Sequence, residues 1–177
     1  MIESLIIGIV AGAVSIIIIQ ILNYSAKPKL VISKYLTQYK KDDMNAVCIK
    51  ILNHTKFDLV DLSVQLFGIT NLDTDGKMKK KELIKNFELK HIAKYEKNSK
   101  EYDYALQIPL FPEERHSKDL VKYIKESEFT NLLMFVMVKN PYYNSIVINK
   151  QSYIISDILD EGYFFESGDD ISARKNP

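Results

Sequence analysis

Apolar and polar residues follow two different rules along this chain. From Leu5 to Leu22 the sequence is apolar, broken only by small residues and Gln20. After Lys27 it turns to short runs with a period near two, set between polar turns. The first pattern predicts a single transmembrane helix, since 18 residues of helix rise about 27 Å against a hydrocarbon core of about 30 Å. The second predicts strands. Leu30–Leu36 and Ala46–Leu52 are short apolar or β-branched runs. Leu62, Val64 and Leu66 alternate with Ser63, Gln65 and Phe67, the pattern of a strand with one buried face. Leu132–Val138 is apolar on both faces and reads as a central strand, and Ser145–Ile148 and Tyr153–Ile155 follow the Asn140–Asn144 turn. One short helix interrupts them, with Ser117 as N-cap, Asp119 in the first turn, and Leu120, Val121 and Ile124 at helical spacing. The predicted fold is mainly β: a transmembrane helix over 1–26, an antiparallel β-sandwich with one short helix over 27–166, and a polar, disordered tail over 167–177.

The apolar helix is not uniform around its axis. At about 100° per residue, Ser4, Gly8, Ala11, Gly12 and Ser15 share one arc, and small residues there let helices approach closely. This predicts helix packing and self-association. A second face carries Ile9, Ala13, Ile16, Gln20 and Asn23. In an oligomer these would line a pore, with an apolar constriction above and amides that hold water at the other end. The bland reading leaves Gln20 and Asn23 in the headgroup layer.

Charge orients this helix. The first 26 residues hold no Lys or Arg, and all 24 basic residues follow. The positive-inside bias therefore predicts a single-pass protein of the cell inner membrane, with its N-terminus outside and residues 27–177 cytoplasmic. A secretory signal is disfavoured because its basic leading region is missing. Lys27 and Lys29 would meet anionic lipid, each worth about 1 kcal/mol. The single cysteine, Cys48, excludes an intramolecular disulfide framework and agrees with a reducing compartment. Asn53-His54-Thr55 matches a glycosylation acceptor, but a cytoplasmic domain never meets that machinery.

Site chemistry is sparse. Asn71 to Gly76 followed by Glu82 has the spacing of a calcium loop, yet a strand pattern precedes it and lysines fill it. Asp75-Gly76 is a hairpin turn signal, and the hairpin is the preferred reading, with no metal expected. Lys77, Lys79, Lys80 and Lys81 could take a phosphate-bearing ligand, a nucleotide or oligonucleotide; the commoner outcome is a solvated hairpin face. His54, His91 and His116 are scattered. No phosphate loop or nucleophile elbow occurs, so neither catalytic residues nor a cofactor is predicted and the chain is read as a non-enzyme.

Ser152-Tyr153-Ile154-Ile155-Ser156-Asp157-Ile158, then Gly162-Tyr163-Phe164-Phe165-Glu166, resembles the closing motif of the cytoplasmic domain of inward-rectifier potassium channels. Asn45–Asn53, Asp61–Phe67, the Gly76–Lys79 turn and Ser117–Leu120 are similar to earlier landmarks of that family, so the likeness covers about residues 28 to 166. The chain departs from it in having no Trp, one extra residue before Gly162, one membrane helix instead of two, and no Thr-x-Gly-Tyr-Gly filter. Potassium selectivity is therefore not carried over. The resemblance implies an immunoglobulin-like sandwich that assembles as a homotetramer below a membrane pore and responds to ligands. The function expected is an oligomeric, ligand-gated ion channel-like effector, of the kind found in antiviral defence. The alternative is a non-conducting membrane anchor whose domain recruits a partner protein.

Overall fold

β3 (Met44–Asn53) is the strand around which the first sheet is built, because it is covered on both faces and paired on both edges. One edge takes β1 (Leu30–Ile32) and β2 (Thr37–Lys41) in succession, and the other takes β7 (Ala105–Leu110), all antiparallel. The second sheet is organised by β4 (Leu59–Leu72). Its free edge is shared by β5 (Met78–Glu82) and β6 (Phe87–Ile92), and its other edge pairs with β8 (Phe129–Asn140), which pairs with β9 (Ser145–Ile154). A two-stranded hairpin, β10 (Tyr163–Phe165) with β11 (Ala173–Lys175), completes the strands, and the helices are α1 (Ile2–Ser25) and α2 (Leu120–Glu126). The computed structural model describes residues 2–25, 27–41, 43–72, 78–84, 87–94, 105–112, 118–142, 145–166 and 168–175.

Period-two alternation decides which side chains meet. Val47, Ile49 and Ile51 of β3 join Leu62, Val64 and Leu66 of β4 and Leu132, Met134 and Val136 of β8 in one buried cluster. The sheets therefore face each other across a shared apolar layer, a β-sandwich-like arrangement that is mainly β and antiparallel as the sequence predicts. β4 carries a bulge where its register with β8 shifts between Val60 and Ser63; Asp61 there has φ 53°, the left-handed backbone such an irregularity uses.

Several boundaries differ from the sequence reading. The runs expected at 145–148 and 153–155 join into a single strand, Ser145–Ile154, because β8 pairs with β9 without a register shift across the polar Asn149–Ser152; Ile155 begins a 3-10 turn instead. Leu30–Leu36 stops early: Ser33 hydroxyl donates to Tyr35 carbonyl (2.9 Å) and bends the chain away. The α2 N-cap is Asp119, whose carboxylate accepts Lys122 N–H (2.8 Å) and the Asn45 amide (2.6 Å); Ser117 lies outside the described residues. Leu120, Val121 and Ile124 are buried as their spacing predicts. Across the calcium-loop candidate, β4 and β5 pair antiparallel, as a hairpin requires, while residues 73–77 lie outside the described residues. The tail expected to be disordered instead supplies β11, paired residue for residue with β10.

The expected transmembrane helix is shown as a helix, not as a span. Among the described residues no helix is long and apolar enough to cross a membrane. The helical backbone itself continues from Ile2 to Ser25, 24 residues in which the sequence places no charge after Glu3.

Candidate functional site

α1 carries its apolar residues outward on every side. Its ten exposed large side chains between Ile6 and Ile21 range from 49% accessible at Val14 to 68% at Ile7. Fully burying one such side chain is worth about 1.5–3 kcal/mol. Even a fraction of that over ten residues rivals a domain's whole stability of about 5–15 kcal/mol. A helix that is apolar all round needs lipid or other helices around it. Of the expected packing stripe, Ser4, Gly8, Ala11, Gly12 and Ser15 are all exposed, and a Cβ added at Gly8 or Gly12 would meet nothing within 4 Å. Ser15 hydroxyl donates to Ala11 carbonyl (2.8 Å) within the helix. On the expected pore face Ile9, Ala13, Ile16 and Gln20 are exposed as well; the side chain of Asn23 lies outside the described residues.

Below α1 the chain is tied firmly into the first sheet. Lys27 and Lys29 are exposed, and Lys29 carbonyl accepts His54 N–H (2.8 Å). Ser33, directly after β1, donates its N–H to Lys50 carbonyl (2.9 Å) and accepts Lys50 N–H on its hydroxyl (3.2 Å), while Tyr153 hydroxyl donates to Ser33 carbonyl (2.9 Å). Lys50 itself is fully buried in the middle of β3. Its ammonium donates to Glu166 carbonyl and to Asp170 carbonyl (2.6 Å), both in the C-terminal segment. Burial holds the Lys50 ammonium below its usual pKa, and the carboxylates of Asp170, Asp169 and Glu166 offset part of that shift.

The lysine hairpin is arranged differently from an anion cradle. Successive strand residues point to opposite faces, so Lys79 and Lys81 diverge from Lys80. Lys80 ammonium sits 3.7 Å from the Phe67 ring centroid and 4.6 Å from that of Phe135. Lys81 instead donates to Tyr123 hydroxyl (2.5 Å) on α2. Lys77 lies outside the described residues, and the three described lysines are not brought together. Of the histidines, His91 lies 3.3 Å from Asp58, whose carboxyl is held low chiefly by Lys94 N–H. Among the described residues no three His, Cys, Asp or Glu side chains could share a metal ion. Asn53 is buried, its amide donating to Phe57 carbonyl (3.1 Å) and Ala93 carbonyl (2.8 Å), so the glycosylation triplet is a structural corner.

Residues 152–166 are built into this framework. Tyr153 is buried, Asp157 accepts Ile154 N–H (2.8 Å), Ile158 bridges to Leu36, and Phe165 is buried. The chain matches no protein-family model and no curated protein. Lys50 is the feature the sequence reading passed over. Its signal was present: a lone lysine in an apolar run on a strand implies that both faces are covered and that the charge has partners.

Proposed function

We propose that this protein is a membrane effector. α1 sits in a bilayer, copies of it associate through Gly8, Gly12 and Ser15, and the sandwich on the inner-face side biases a constriction near Ile9, Ala13 and Ile16. The observation that carries this reading is the all-round exposure of a helix with no charge after Glu3, attached to a sandwich with its own core. The likeness of residues 152–166 to inward-rectifier cytoplasmic domains supports an immunoglobulin-like sandwich and a tetramer. A ligand, a nucleotide or oligonucleotide in the defence setting, must bind one gate state better than the other by a few kcal/mol to switch it. The second reading is a non-conducting anchor that recruits a partner protein. It is favoured by Lys80 and Lys81 being engaged with aromatic side chains rather than gathered for an anion.

Ion flux through liposomes carrying the purified full chain separates the two. The effector reading expects flux that Gly12→Leu abolishes and Ile16→Ala enlarges while the sandwich stays folded. Absence of flux from every preparation, with or without candidate nucleotides, leaves the anchor.

A further inference from the structure

The C-terminal hairpin is attached to the sandwich in an unusual way. The chain is anchored up to Leu159: Leu36 N–H donates to Asp157 carbonyl, Leu159 N–H donates to Leu36 carbonyl (both 2.9 Å), and Gln38 amide donates to Leu159 carbonyl (3.0 Å). A turn follows, and Gly162 enters it with φ 91° and nothing within 4 Å of where a Cβ would stand. Beyond that pivot, β10 and β11 are three residues each and pair with one another. Among the described residues, polar contacts and one buried ring tie the hairpin to the first sheet. Phe165 is buried, Gln107 amide donates to Phe165 carbonyl (3.0 Å), and Lys50 ammonium takes the carbonyls of Glu166 and Asp170. Arg174 knits the hairpin internally, 3.0 Å from Glu166 and 3.3 Å from Asp170. No hairpin residue belongs to the cluster between the sheets, which closes without it. An open cavity of about 250 Å³ lies at that side of the hairpin, lined by Ile171, Ser172, Lys34 and Tyr35.

We infer that β10–β11 is a strap that opens as a unit about Gly162, with Lys50 as its latch. Short strands, few buried apolar contacts and a glycine pivot define a segment of low local stability. Opening bares the outer face of the first sheet, where Cys48 and Lys50 alternate with the core residues Val47, Ile49 and Ile51. Lys50 also bonds through its backbone to Ser33, at the end of the strand that leaves α1. The latch is therefore placed where the strap's state reaches the base of the helix. That last link rests on the membrane-effector reading; the strap itself does not.

Cys48 is the one cysteine in the chain and is buried, so its thiol reports opening in the full-length protein. Thiol labelling is followed in urea well below the unfolding transition. The strap predicts labelling by a route nearly independent of urea. Lys50→Met is expected to speed it about 10-fold or more, because two carbonyls lose a charged donor. Deleting residues 163–177, the whole strap, is expected to expose Cys48 while cooperative unfolding of the sandwich persists. The inference is overturned if Cys48 labels only with the urea dependence of global unfolding. It is equally overturned if the deletion unfolds the whole domain, or leaves a folded domain whose thiol stays protected. None of these outcomes depends on flux or on lipid.

Discussion

α1 and β3 are both dominated by aliphatic residues, yet they are stabilised by opposite means. In β3 every side chain from Ala46 to Asn53 is buried, and the one charge among them has its own acceptors. In α1 every described large apolar side chain is exposed. The described residues supply the strand's surroundings and supply none for the helix. Apolar content alone thus does not locate a core. What separates the two is whether neighbouring elements present a complementary face at the matching period.

The sharpest way to break that contrast is to truncate equivalent side chains in both regions. Leu66→Ala, at a fully buried position between the sheets, is expected to cost about 2–5 kcal/mol of sandwich stability in denaturant unfolding. Ile17→Ala on α1 is expected to leave that transition unmoved, and a comparable loss there would mean that the helix packs on the sandwich. A smaller effect is expected at Gly68, where an added Cβ would lie 2.6–2.7 Å from three atoms of the Phe129 ring. Gly68→Ala should destabilise by about 1–3 kcal/mol through overpacking, and Gly12→Ala by nothing that sandwich unfolding detects.

Alkaline titration probes the covered face of β3. Burial pushes the Cys48 thiol up from 9.0 to about 12. Its folded form therefore keeps a proton that the unfolded chain releases, so the stabilisation is complete below pH 9 and is lost between pH 9 and about 12. Tyr153, raised by burial, acts in the same sense, whereas Lys50, lowered by burial, opposes them as it discharges. Cys48→Ala should flatten the fall in stability by up to one proton's worth, measured as the slope of unfolding free energy against pH. The smallest effect expected is Asp119→Ala, which removes the α2 cap and should cost about 0.5–2 kcal/mol in the same unfolding assay.

Much of the sandwich was legible because its strands obey a local rule. The alternation of Leu62, Val64 and Leu66 translates directly into burial, whereas the run Leu132–Val138 forms a central strand whose Phe135 and Met137 stay half-exposed. Where polar residues joined two apolar runs, as at Asn149–Ser152, only the partner strand revealed the continuity. The strap was illegible for a similar reason. Residues 167–177 look like a solvated tail until Lys50, more than a hundred positions upstream, is seen to take the Asp170 carbonyl. The cap moved from Ser117 to Asp119 because Asn45, on a distant strand, holds the second carboxylate oxygen. At α1 the sequence spoke plainly about composition. It could not say what covers the helix, because nothing among the described residues covers it.

Flotation of the full chain with liposomes at high salt tests that claim most directly, since salt screens surface charge but leaves apolar insertion intact. The account predicts that the intact protein rises with the vesicles and that residues 27–177 alone stay behind. An intact chain that remains at the bottom of the gradient as a dispersed, folded protein would contradict it.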